Sequence, residues 1–245
     1  MTNIQDMTGR TILIAGATSG MGHSTAVAAA AAGANLILLG RNADRMSDVV
    51  AQIAEMGPGR VDAILADAAD APALSQALAG HADLLAGVDT LVNFIGINIA
   101  RRSFDELSQD SWSGMIDANL NAAFNLAKVV VPVLRDRGGG LLINISSTAA
   151  RRPDPSGAAY QATKAGVMAM THAIMEEEWQ NGIRATVILP GMTDTPLLEK
   201  RPSPPTPDMR ARALQPQDVA DACMFVMRLP PRAHVPELTI QPSKR

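Results

Sequence analysis

Tyr160 is the only tyrosine in a chain of 245 residues, and Lys164, one of four lysines, follows it by four positions. In a helix, residues at i and i+4 share a face. An ammonium near a phenol favours the phenolate and lowers its pKa from about 10. That makes the phenol a better proton donor and acceptor near neutral pH. Thirteen positions earlier, Ser147 ends the apolar run 141–147 (LLINISS). A hydroxyl at the carboxyl edge of a sheet is placed to hydrogen-bond a substrate oxygen that Tyr160 protonates, with Ser146 competing for the role. Asn119 lies within a helical stretch where a polar amide has no propensity reason to be. An exposed helix face is the other explanation for it.

Elements that would position these groups are visible as an alternation. Short aliphatic runs at Thr11–Ala15, Asn35–Leu39, Val61–Ala66, Thr90–Phe94, Leu141–Ile145, Ala185–Leu189 and Glu237–Ile240 read as strands. Apolar residues at nearly every position indicate a parallel sheet covered on both faces. Between the runs lie helix-length segments, Gly22–Ala32, Asp44–Glu55, Ala73–Leu85, Ser111–Leu134 and Ala158–Gln180. Asp110 or Ser111 is a candidate cap for the fourth. The pattern predicts an α/β fold: one domain over 1–245, a doubly wound parallel sheet of about seven strands with helices on both faces. Four prolines between Pro202 and Pro207 forbid a regular helix or central strand there. The segment 192–215 follows the sixth strand, and ligands bind outside the carboxyl ends of strands, so it is a candidate substrate lid; a plain surface loop is the alternative.

After the first strand comes Gly16-Ala-Thr-Ser-Gly20-Met-Gly22, then an alanine-rich helix. Glycines let the backbone turn sharply and approach a pyrophosphate, while the helix offers free N–H groups and a positive dipole end. Gly16, Thr18, Ser19, Gly20, Met21 and Gly22 are therefore candidate dinucleotide contacts. The second strand ends near Arg41, with no acid to hold a ribose 2′-hydroxyl. A guanidinium there suits a 2′-phosphate, so NADP(H) is expected in preference to NAD(H).

Composition excludes several classes. The chain is 47% hydrophobic, 3% aromatic, and carries a formal charge of −3. An acidic chain with few stacking aromatics is not built for nucleic acid. Cys223 is the only cysteine, which rules out an intrachain disulfide; its apolar run marks it as core. His23, His81, His172 and His234 show no metal-ligand spacing, so no metal is expected. The N-terminus lacks a basic start followed by a long apolar stretch, and no segment has the length of a membrane span. A soluble cytoplasmic protein that does not bind membranes is the expectation. Arg101, Arg102, Arg151 and Arg152 flank the candidate site and are available to an anionic substrate group, or are ordinary solvated charges. Met168, Met170 and Met175 read as packing or subunit-interface residues.

Together these residues resemble the short-chain dehydrogenase/reductase family, from about Thr11 to Thr195 and more loosely beyond. The glycine motif matches Gly16, Gly20 and Gly22, and the family's Asn–Ser–Tyr–Lys tetrad falls on Asn119, Ser147, Tyr160 and Lys164. Asp67 matches an aspartate near the adenine. Asn93 and Gly96 retain the ends of an Asn-Asn-Ala-Gly motif whose middle is replaced by Phe94 and Ile95. Pro190, Gly191 and Thr195 match the segment beside the nicotinamide. The Thr-Gly and Gly-Gly segment frequent near the family's C-terminus is absent. The resemblance implies a Rossmann-type fold, a homodimer or homotetramer, and a small-molecule carbonyl or alcohol substrate. It also implies roles: Tyr160 as acid/base, Ser147 polarising the carbonyl, Lys164 lowering the tyrosine pKa and holding ribose hydroxyls, and Asn119 supporting a proton relay. The alternatives are a non-catalytic NADP(H)-binding regulator, which a damaged tetrad would indicate, and an isomerase or dehalogenase on the same fold.

Overall fold

The computed structural model describes residues 6–244; the two ends of the expected 1–245 domain lie outside them. The chain runs β1 (Thr11–Ala15), α1 (Gly20–Ala31), β2 (Asn35–Gly40), α2 (Ala43–Ala54), β3 (Val61–Leu65), α3 (Ala71–Ala79), α4 (Ala82–Leu85) and β4 (Thr90–Asn93). It continues with α5 (Gln109–Ile116), a π-helical turn (Asp117–Asn121), α6 (Ala122–Asp136), β5 (Gly140–Ile145) and α7 (Ala158–Glu178). It closes with β6 (Ile183–Pro190), α8 (Pro207–Arg212), α9 (Pro216–Arg228) and β7 (Glu237–Ile240).

The seven described strands form one parallel sheet in the order β3-β2-β1-β4-β5-β6-β7. This is the doubly wound sheet that the continuous apolar runs imply. The central strands are buried almost throughout, as strands covered on both faces must be, whereas the edge strands β3 and β7 are partly open. Two apolar layers flank the sheet. One packs α1, α2 and α9 on one face; the other packs α3 and α6 on the opposite face. Strand order reverses between β1 and β4, so the loops leaving their carboxyl ends part and open a crevice.

Several local expectations change. The third helical segment breaks at Gly80, a poor helix former, into α3 and α4. The fourth is α5, a π turn and α6, and its cap is Ser108, whose side chain accepts from Ser111 N, in place of Asp110 or Ser111. Helix α9, absent from the predicted segments, buries Cys223 against α1. Burial pushes that thiol up to about 12, partly offset by a hydrogen bond with Thr25. The proline-rich stretch stays irregular until Pro207, which opens α8 at a position where a missing N–H costs nothing. The segment 192–215 leaves and rejoins the body at one place: Thr193 pairs with Leu214, and Leu214 N donates to Met192 O at 2.9 Å. Arg210 pairs with both Asp194 and Glu199, bracing the excursion from inside. No described helix is long and apolar enough to cross a membrane.

Candidate active site

The loop from β1 into α1 makes the floor of a cleft of about 390 Å³. Gly16 and Gly20 have φ of 82° and 53°, left-handed conformations that favour glycine. Gly22 is required for a different reason: a Cβ on it would stand 2.2 Å from Gly16 O. The loop therefore packs directly on the first turn of α1. Ser19 occupies the N-cap without a side-chain capping bond, and the first turn holds no acidic residue. An anion there meets free N–H groups and the positive end of the helix dipole. Gly22→Ala is expected to destabilise the protein by about 1–3 kcal/mol through overpacking against backbone. Thermal unfolding should show Tm lower by several degrees; an unchanged Tm would contradict the close approach.

Most of the residues expected to contact the dinucleotide line this cleft; Tyr160, Pro190 and Gly191 line the cavity beside it, and Asn93 and Lys164 line neither. Thr18, Ser19, Met21, Arg41, Asp67, Gly96 and Thr195 line it along with the glycines. Arg41 and Asp67 also meet each other, Nη1 to Oδ2 at 3.1 Å. Arg45 and Lys200 add two cations that sequence reading passed over. The spacing of Arg45, four residues after Arg41, was the available signal. Asn93 is 2% exposed. Its Nδ2 donates to Asn144 Oδ1 at 3.1 Å and its Oδ1 accepts from Ile95 N at 2.9 Å. Asn93 holds the turn after β4, and the turn's own residues, Phe94 to Ile97, line the cleft.

A second cavity of about 120 Å³ adjoins the first, sharing Met21, Thr195 and Leu197 with it. Ser147, Tyr160, Pro190 and Gly191 line it. Ser147 follows β5 and Tyr160 lies in the first turn of α7, so the sheet edge and the helix bring their hydroxyls together. Ser146, the competitor, is 4% exposed and donates to Lys164 O at 2.7 Å. That bond ties β5 to α7 and leaves Ser147 as the hydroxyl beside the tyrosine. The Ser147 hydrogen bond lowers the Tyr160 pKa.

Lys164 is 5% exposed. Its Nζ donates to Ile145 O at 2.9 Å and lies 5.9 Å from the centroid of the Tyr160 ring. Burial depresses its pKa from 10.5 to about 8. A Cβ on Gly96 would come within 2.8 Å of Nζ, so glycine is what lets the lysine reach the turn below the cleft. The expected lowering of the tyrosine pKa is not found. Burial of the phenol shifts it upward, the charge of Asp154 adds to this, and the Ser147 hydrogen bond and the Arg102 charge offset it only in part. The ammonium is committed to a strand-end carbonyl and stands over the ring, so its field at the phenol oxygen is small beside the desolvation.

Asn119 is 1% exposed, which excludes the exposed-face explanation. It sits in the π-helical turn, where its Oδ1 accepts from Ile97 N at 2.7 Å. Its Nδ2 donates to Ile97 O at 3.0 Å and to Thr163 Oγ1 at 3.1 Å. One amide therefore clamps the β4 turn to α7, and the π turn directs it inward. The other arginine candidates separate by position. Arg101 pairs with Glu106 and Arg151 with Glu237, while Arg152 donates to Gln241. Only Arg102 of the four lines the cavity beside Tyr160.

A family model described as short chain dehydrogenase matches residues 10–205. A 3beta-hydroxysteroid dehydrogenase of Mediterraneibacter gnavus is 37% identical over 189 residues, covering 77% of this chain and 68% of its own length. Among solved structures, a 3-oxoacyl-[acyl-carrier protein] reductase of Brucella melitensis with bound NAD superposes with TM-score 0.85 at 25% identity, over 97% of this chain and 91% of that one. An alcohol dehydrogenase of the archaeon Thermococcus sibiricus, complexed with 5-hydroxy-NADP, gives 0.86 at 26% identity over 96% and 97%.

Proposed function

Because the chain belongs to the short-chain dehydrogenase/reductase family, we propose that it is an NADP(H)-dependent oxidoreductase that interconverts a carbonyl and an alcohol, with Tyr160 as acid/base. The supporting observation is the placement of the Ser147–Tyr160 pair in a small cavity that opens onto the glycine-lined cleft. The cleft fits a dinucleotide: glycines clear the floor, helix N–H groups face it, and cations stand at its far end.

When bound, the nicotinamide supplies or accepts the hydride. The chain's own groups manage position and protons. The α1 N-terminus and the Gly16–Gly22 loop hold the pyrophosphate. Arg41 would hold the 2′-phosphate, with Arg45 and Lys200 adding positive charge. Asp67 stands by the adenine while restraining Arg41. Ser147 donates a hydrogen bond to the substrate oxygen, and Tyr160 gives that oxygen its proton in reduction and takes it back in oxidation. The raised pKa keeps the phenol protonated at neutral pH, the form a proton donor needs. Lys164, bonded to Ile145 O close to Gly96, would hold the ribose hydroxyls, and Asn119 fixes the β4 turn to α7. The 192–215 segment, pinned at Thr193 and Leu214, lines both cavities through residues 192–201 and would serve as a substrate lid. The working form is a homodimer or homotetramer in the cytoplasm.

A screen of aldehydes, ketones, hydroxy acids and alcohols, followed by NADPH oxidation and NADP reduction, tests the reading. Turnover dependent on Tyr160 supports it. Cofactor binding with no turnover across the panel would favour a non-catalytic regulator. For cofactor choice, Arg41→Ala is expected to cut kcat/KM for NADPH by about 10-fold or more, the cost of one charge-assisted contact, and to change that for NADH little. Steady-state kinetics with both cofactors check this; an equal loss for both would refute 2′-phosphate recognition.

A further inference from the structure

Three charged side chains line the cavity beside Ser147 and Tyr160: Arg102, Arg201 and Asp154. Asp154 is already engaged, accepting from Ser156 N at 2.8 Å in the turn before α7. The two arginines are not. Among the described residues neither forms an ion pair within 4.0 Å, in contrast to Arg10, Arg41, Arg60, Arg101, Arg135 and Arg151. Two buried polar atoms with no hydrogen-bond partner, Arg102 Nε and Ser156 Oγ, belong to residues of this same wall. An unsatisfied buried donor costs stability, and two in one wall point to a ligand that completes them.

Arg102 is held in place by its backbone. Gly157 has φ of 92°, and a Cβ there would lie 2.5 Å from Arg102 O. Asn98 is 4% exposed and donates to Ser156 O at 3.0 Å. The 98–102 and 154–157 loops are thereby fastened together. The guanidinium is presented from a braced support, which is what a recognition group needs. Arg201 approaches from the other side, on the 192–215 segment. Burial lowers the Arg102 pKa, the Arg201 charge adds to this, and Asp154 offsets them only in part. An anion placed between them would relieve that repulsion and supply acceptors to both forks.

Resting on the carbonyl–alcohol reading above, we propose that Arg102 and Arg201 form an anion clamp that holds the carboxylate of a short oxo acid or hydroxy acid beside Tyr160 and Ser147. Size agrees with charge. The cavity is about 120 Å³, close to the ~150 Å³ of a cavity that admits benzene. That is room for a small acid beside the two hydroxyls. Arg201 also gives the 192–215 segment a reason to close, because the substrate's own charge draws it down.

Acetoacetate and levulinate, each against its methyl ester, are the substrates to compare with NADPH. The wild type is expected to favour the acid over the ester by at least about 10-fold in kcat/KM, mainly through KM. In Arg102→Gln and in Arg201→Gln the acid-to-ester ratio should fall toward one. A wild type that handles ester as well as acid, or variants that keep the ratio, would overturn the clamp. Calorimetric binding of butyrate and butyramide to the NADPH-loaded protein reads the same site without turnover. Tighter butyrate binding that is lost in Arg102→Gln supports the clamp even if no carbonyl is reduced, and in that case the hydride-transfer reading fails alone. Butyrate binding no tighter than butyramide refutes the clamp and leaves that reading intact.

Discussion

Tyr160→Phe is expected to bind NADPH with affinity close to wild type and to lose about 10²–10⁴-fold or more in kcat. Removing one oxygen leaves the ring where it packs, under the Lys164 ammonium and beside the turn before α7. What goes is the proposed proton donor. Ser147 stays but cannot take over, because an alkyl hydroxyl is far too weak an acid at neutral pH. NADPH affinity by fluorescence titration and single-turnover reduction check the two halves separately. Near-normal turnover would refute the acid/base role. Parallel loss of cofactor binding would show that the phenol acts through the nucleotide site.

Lys164→Met is expected to do two opposite things. Turnover should fall by about 10²-fold or more, since the lysine braces the strand end and holds a positive charge over the phenol ring. Stability should rise. The folded-state pKa of this lysine, about 8, lies below its ordinary value of 10.5. Between those pH values the unfolded chain binds more protons, so this group's contribution to stability grows as pH rises from 8 to 10.5. Below 8 the buried ammonium costs on the order of 3 kcal/mol. The methionine removes that cost at neutral pH and gives up the bond to Ile145 O, for a net gain of about 1–3 kcal/mol, read as a higher Tm. The wild-type reductase rate should decline above pH 8 as the lysine loses its charge, while Tyr160, shifted upward, remains protonated. That inflection should be missing from the variant. A variant less stable than wild type at neutral pH, or one that keeps the inflection, would contradict the account.

Much of this site is local in sequence and could be read there. The strands announce themselves because a strand buried on both faces has no polar positions to spare. The glycine loop is legible because a sharp turn next to a packed helix start tolerates no Cβ, as Gly22 shows. The Tyr160–Lys164 spacing needs only a helix to acquire meaning. Helix interruptions were harder: the π turn around Asn119 exists because that amide satisfies Ile97 N and O from another loop, and nothing within four residues of Asn119 reports it. Helix α9 does carry local signals, Pro216 in its first turn, the Gln215–Asp218 capping box and Pro230 just past its end.

The sequence by itself determined the sheet, the phosphate-type loop and the hydroxyl–lysine pair, because those follow from short-range sterics and periodicity. Only the tertiary structure decided among rivals that share residue type and neighbourhood. It committed Ser146 to Lys164 O and left Ser147 beside the phenol. It turned Asn93 into a brace, and it selected Arg102 from four arginines while adding Arg201 from a distant loop. It also reversed the direction of the Tyr160 pKa. Desolvation and long-range charge depend on what surrounds a group in space, and a linear chain carries no record of which distant groups those will be.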